Sequence, residues 1–294
     1  MNRPVKTLTA WRRTARPGPA EDPDTAESPP GSAPAGAGGT AAPAEAGSAT
    51  GWLRDNRVTL IAGALIVIQL LWMAALLSRS YFRQDDFYNF DRALAEGFTW
   101  KYLMLVSAGH MAPLGFAVSW LLAHAALYDW TLTALVILVL VLAACLALLR
   151  MLRTLFGNRP AILIPLMVYL FSPLALAAVD WWSVAVQTLP LEIAIFMAVD
   201  AHVRYLRQGR IRQLAAAAVW LLLGMATVQK GAVVPVLLFG LTSAFFTEGG
   251  WLSGIVQAAR RYWRAWVVYG SMLAAYLVLF LSVLPTSTTP PSSA

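Results

Sequence analysis

The chain has 294 residues, of which 59% are hydrophobic and only 13% charged, with a formal net charge of +7 and a mean hydropathy of +0.62. A soluble domain carries roughly a quarter charged residues, so too little polar surface is present to cover a water-soluble globule. The basic residues lie mostly between apolar runs, where they act as topology signals. Nucleic-acid binding is set aside on that ground, and the single cysteine, Cys145, excludes an internal disulfide and a cysteine metal cluster.

Residues 1–57 are expected to be a disordered cytoplasmic tail. Its first part carries Arg3, Lys6, Arg12, Arg13 and Arg16, a topology signal or a contact for membrane lipid of negative charge. No apolar core follows it directly, so it does not read as a cleavable signal peptide. Residues 17–51 are almost entirely Pro, Ala, Gly, Ser, Thr, Asp and Glu. Such a segment buries too little apolar area to offset the entropy of ordering it.

Apolar runs then occupy 58–77, 113–127, 131–149, 161–179, 183–203, 214–228, 231–246 and 265–284. They lack the alternation of barrel strands, so helices are predicted. The densest basic loop, Arg204, Arg207, Arg210 and Arg212, is assigned to the cytoplasm. Arg54, Arg57, Arg150, Arg153, Arg159, Arg260, Arg261 and Arg264 then fall on the same side if 113–127 does not cross. That run is, with 214–228, the shortest, and it is expected to lie along or dip into the outer interface. The predicted fold is an all-α polytopic membrane protein, in the cell membrane, with its amino terminus cytoplasmic. It has about seven transmembrane helices over 58–284, in-plane juxtamembrane helices in the first outer loop (78–130), and a disordered outer tail at 285–294.

That outer loop is long for a connection, and long loops on a rigid scaffold often carry function. It opens on Gln84-Asp85-Asp86-Phe87. Two adjacent carboxylates just outside a span suit a general base and its orienting partner, or a site for a divalent metal. Their repulsion is expected to raise one pKa. The competing interpretation is that one of them caps a helix carrying Phe87, Phe90 and Leu94 at helical spacing. Asp180, between two later spans, faces the same choice between a site and a cap. His110 is a ligand, a hydroxyl orienter or an interfacial polar tip. Lys230, at the predicted outer face, holds a phosphate or snorkels to water.

In this order the residues resemble the GT-C superfamily of membrane glycosyltransferases, which use polyprenyl-phosphate-linked sugars and include protein mannosyltransferases and aminoarabinose transferases. Asp85 and Asp86 take the place of the acidic residue or pair that opens the family's large outer loop. His110-Met111-Ala112-Pro113-Leu114 looks like the stretch leading into its juxtamembrane helix. Asp180 matches an acid in the second outer loop. The run from Gly224 to Gly231, with Lys230 near its end, is similar to a Gly-to-Lys stretch of bacterial members. The match covers 58–284, the superfamily's amino-terminal module; its enzymes usually carry further spans and often a soluble carboxy-terminal domain.

The resemblance implies an inverting transfer, with Asp85 or Asp86 catalytic and His110, Asp180 and Lys230 binding substrate. It leaves a divalent metal possible. A transporter or a scaffold of a membrane complex is the alternative, although the spans hold few polar residues and show no clear inverted repeat.

Overall fold

A computed structural model describes residues 49–107, 109–173 and 176–287. The expected tails lie outside the described residues over 1–48 and 288–294. Both tail boundaries move, because α1 (Ala49–Leu77) starts within the expected amino-terminal tail and α12 (Trp263–Ser287) runs beyond 284. Residues 52–57 contain neither Pro nor Gly, so a helix nucleated by the apolar run extends backward through them.

The described residues are all-helical apart from one antiparallel pairing, β1 (Val106–Ser107) with β2 (His110–Met111). Among them four helices are long and apolar enough to cross a membrane. They are α1, α5 (Trp130–Phe156), α8 (Trp182–Gln208) and α12. The other apolar runs form shorter helices: α4 (Pro113–Ala125), α6 (Leu163–Leu170), α9 (Ile211–Thr227) and α10 (Val234–Phe245). Short 3-10 turns at Pro160–Ile162 and Gln229–Val233 precede α6 and α10. The run at 161–179, expected as one helix, is divided. Its second part is the single turn α7 (Leu176–Val179), after a break that holds Ser172 and Pro173. Proline has no N–H to donate and disfavours helix in the residue before it.

Helix α8 is the axis of the bundle and packs along both α5 and α9. Gly157 and Gly209 end α5 and α8 at φ +77° and +68°, backbone angles that glycine adopts without a Cβ penalty. At that end Asp200, 1% exposed, accepts from Arg150 Nε at 2.9 Å and from Arg204 Nε at 3.1 Å. Thr154 also donates to it. Arg153 reaches Thr59 at 3.0 Å and so joins α5 to the start of α1. His202 is enclosed nearby and bonds Tyr269 of α12 and Thr242 of α10. This is the basic end of the bundle.

At the opposite, acidic end Trp130 Nε1 donates to the Leu77 carbonyl at 2.8 Å, joining the end of α1 to the start of α5. Asp129 caps α5 by accepting from Leu132 N–H. Helix α2 (Gln84–Glu96) lies here as the helix expected of this segment, but it buries Asp86, Phe90 and Ala93, while Phe87 and Leu94 of the expected face are exposed. Phe82 packs edge-on against both Phe90 and Trp130, with ring centroids 5.3 and 5.1 Å apart.

Both ends of α4 sit at this acidic end. Before it, His110 meets Gln229. After it, Tyr128 hydrogen-bonds Asp91 of α2. Thirteen residues of helix span about 20 Å, against about 30 Å of bilayer hydrocarbon. Helix α4 is therefore shorter than a straight crossing of the hydrocarbon, as α6, α9 and α10 also are, and its attachments on both sides lie at this end. Single cysteines introduced at Ser80, Lys101 and Leu127 are expected to react with an impermeant maleimide from one side of the membrane only. Labelling of Leu127→Cys from the opposite side would mean that α4 crosses.

Candidate functional site

Between α2, α4, α8 and the α9–α10 turn lies a cleft of about 400 Å³. Asp85, His110 and Lys230 line it, together with Tyr88, Asn89, Trp181 and Gln187. Three of the five candidate residues, spread from α2 to the turn after α9, thus share one wall system.

The acidic pair is divided in function. Asp86 is fully buried. Its Oδ2 accepts from the Arg83 backbone N–H at 2.9 Å, closing the first turn of α2. Its Oδ1 accepts from Ser183 N–H at 2.7 Å and from Ser183 Oγ at 2.5 Å, at the start of α8. One carboxylate therefore serves the exposed N–H groups of two helices from distant parts of the chain. Burial pushes the Asp86 carboxyl above the usual carboxylate range, the three hydrogen bonds act against it, and the Asp85 charge adds the least. The raised acid expected of the pair is the enclosed one, and burial rather than mutual repulsion is the main cause. Asp86 is thus a capping residue with both oxygens engaged.

Asp85 is half-buried and turns into the cleft. Its Oδ1 accepts from Trp181 Nε1 at 2.9 Å, and no described side chain hydrogen-bonds its second oxygen. Tyr88 and Asn89 sit three and four residues on, so they share its face of α2. Asn89 donates to Ser183 Oγ at 2.9 Å, which links that face to the Asp86 network.

Asp180 does not cap α8, whose N-cap position is Trp181. Its Oδ2 instead pairs with Arg83 at 2.6 Å, and the Arg83 guanidinium lies 5.2 Å from the centre of the Trp181 ring. Asp180 thus stands beside the cleft and acts on it through Arg83 and Trp181. The pair is partly exposed, at 47% and 26%, so it orients more than it stabilises.

On the far wall Gln229 Nε2 lies 3.2 Å from the Gly109 carbonyl oxygen and 2.5 Å from His110 Nδ1. A carbonyl only accepts, so that nitrogen donates, and the His110 proton resides on Nε2. Lys230 is exposed, one residue further on. Its backbone is positioned by close glycine packing. A Cβ on Gly231 would lie 2.3 Å from the Gly224 carbonyl oxygen, and one on Gly224 would lie 3.3 Å from the Ala194 Cβ of α8. The Gly224-to-Lys230 stretch is thus a backbone-to-backbone contact that presents Lys230 to the cleft.

The donor set does not suit a divalent metal. Among the described residues no group of three His, Cys, Asp or Glu side chains is placed for one. Asp86 has its oxygens committed and Asp180 carries a guanidinium, so the acids do not converge on a cation. Arg83, Asn89, Ser183 and Gln229 were not singled out from sequence as site residues. The spacing of Asp85, Tyr88 and Asn89 on one helical face was the available signal for Asn89. The other three become visible only when remote segments meet.

No family model, curated protein or solved structure matches this chain.

Two measurements separate these roles. Asp86→Asn puts an amide N–H against a backbone N–H and should cost about 2 kcal/mol of stability, read as a lowered melting temperature in detergent. Asp85→Asn should melt like the parent; an equal loss in both variants would contradict the division of labour. Gly231→Ala should cost about 2 kcal/mol through overpacking. Gly224→Ala, facing the Ala194 Cβ at 3.3 Å and the Leu191 Cδ1 at 3.6 Å, should cost clearly less.

Proposed function

We propose that this protein is a membrane glycosyltransferase of the GT-C type, or the core module of one. It moves a sugar from a polyprenyl-phosphate donor to an acceptor hydroxyl on the outer face of the cell membrane. One observation carries this reading: a carboxylate with an uncommitted oxygen, Asp85, shares a cleft at the end of an apolar bundle with an imidazole N–H and a free ammonium. A base on one side and cations or donors on the other suit transfer from a phosphate leaving group.

In this mechanism the acceptor hydroxyl gives its proton to the second oxygen of Asp85, while Trp181 holds the first. The acceptor oxygen forms a bond to the anomeric carbon from the face opposite the phosphate. The bond from that carbon to the phosphate oxygen breaks, and polyprenyl phosphate leaves with the electron pair. Lys230 faces that developing charge, and His110 Nε2–H donates to it or to the acceptor. Arg83 and Asp180 keep Trp181 in place. The polar mouth of the cleft grades into Phe116, Val184, Leu191 and Val228, apolar surface of the kind a lipid-borne substrate needs.

The same reading takes seven passes of the membrane: the four long helices, the α6–α7 segment, α9, and α10 with the turn before it. The cleft then faces outward and the arginine-rich end faces the cytoplasm. A carrier is the weaker reading, since the interior cavity lined by Gln69, Tyr169 and Glu192 holds only about 20 Å³, room for one water.

The test is release of polyprenyl phosphate from a panel of polyprenyl-phosphate-linked hexoses by the purified protein with added acceptor. Asp85→Asn should slow transfer about a thousandfold without affecting membrane insertion, and Lys230→Met should act mainly on donor KM. Full activity of Asp85→Asn would dismiss the proposal.

A further inference from the structure

At the basic end the chain turns from α10 to α12 through α11 (Trp251–Arg261), a helix of eleven residues and about 16 Å. It is fixed to the bundle along one narrow strip. Gly254 packs so closely that a Cβ there would lie 2.9 Å from both the Ser243 carbonyl oxygen and Thr247 Oγ1. Gln257 exchanges two hydrogen bonds with the Glu248 backbone, at 3.1 and 2.8 Å. Trp266 Nε1 of α12 donates to the Ala258 carbonyl at 2.8 Å.

The rest of the helix surface divides into two kinds. Leu252 and Val256 occupy one side of the buried strip and are exposed, and Trp251, at the start of the helix on the line of the strip, is 79% exposed. Ser253, Gln257, Arg260 and Arg261 occupy the remaining arc at helical spacing. Just past the helix, Trp263 and Arg264 are exposed as well. Among the described residues no carboxylate pairs with Arg260, Arg261 or Arg264. Their planar groups lie over aromatic faces where they are held at all: Arg261 over Tyr262 at 5.4 Å and Arg264 over Trp263 at 5.9 Å. The buried acid of this end, Asp200, is already taken by Arg150 and Arg204.

We propose that α11 and its junction with α12 form a docking surface for anionic phospholipid headgroups. The apolar arc enters the boundary between headgroups and acyl chains, and Arg260, Arg261 and Arg264 take the phosphates. The side-by-side pairing of large apolar and arginine side chains selects this partner. A nucleic acid satisfies the arginines but leaves Trp251, Leu252 and Val256 in water, whereas a lipid surface accommodates both. Aromatic residues at both ends of the helix suit the same depth. The docking holds the start of α12 at headgroup level, and it does not depend on what the cleft at the other end does.

The test uses the full chain in nanodiscs of phosphatidylcholine with and without phosphatidylglycerol. Native mass spectrometry is expected to find phosphatidylglycerol enriched on the parent protein. Arg260→Gln, Arg261→Gln and Arg264→Gln together should weaken that preference about a hundredfold, at about fivefold per arginine. Arg210→Gln with Arg212→Gln should leave most of it. A second measurement covers a triple variant that fails to fold. A nitroxide on Val256→Cys, with buried Cys145 silent, should be relaxed by oxygen and shielded from an aqueous nickel chelate. Unchanged lipid preference in the folded triple variant, a nitroxide open to nickel, or equally tight capture of a DNA oligonucleotide at physiological salt would overturn the assignment.

Discussion

The Asp86 carboxylate joins the first turn of α2 to the first turn of α8, and the geometry of the cleft follows from that joint. Three donors converge on a side chain with no solvent exposure. A buried charge of this kind is tolerated only when its lone pairs are satisfied, so neither helix can shift without exposing or orphaning it. The joint sets α2 against α8 at one register. In that register Asp85 points into the cleft and Trp181 lies within reach of its oxygen. The neighbour of the cleft carboxylate is thus the residue that positions it.

The opposite end of α8 carries a second buried acid. Asp200 gathers Arg150, Arg204 and Thr154 around α5 and α8, and His202 adds α10 and α12 through its two ring nitrogens. Each end of the central helix is therefore held by a polar group enclosed in protein, while its middle packs through mainly apolar contacts with one polar joint, Tyr169 donating to Glu192. In lipid the apolar surfaces of helices gain little from meeting one another, so specific polar joints and close glycine contacts determine which faces pair. The contact of Gly231 with the Gly224 carbonyl is the same principle applied to the α9–α10 turn. It carries Lys230 to a cleft whose other walls come from a different part of the chain.

Much of the layout was legible before any tertiary information. Apolar length and charge separation marked the four long helices, and the parity of the basic loops singled out 113–127 as a run that stays at one end. The helical spacing of Phe87, Phe90 and Leu94 anticipated α2. Less visible were the break in 161–179 and the extension of α1 back to Ala49, since hydropathy registers neither a kink near Pro173 nor helix propagation into a polar flank. Within the site, only the resemblance grouped Asp85, His110 and Lys230, since no local pattern made them neighbours, and the two aspartates could not be told apart by composition or spacing.

Sequence by itself determined that the chain is a bundle of apolar helices with a polar, acid-bearing end and an arginine-bearing end. Those properties follow from local hydropathy and from which charges lie near which run. Only the tertiary structure decided that Asp86 is a joint and Asp85 a cleft residue, that Asp180 answers to Arg83, and that Gln229 sets the His110 tautomer. The reason is that a carboxylate's role depends on which donors surround it. Here those donors are supplied by segments about a hundred residues away along the chain, a distance over which no local pattern carries information.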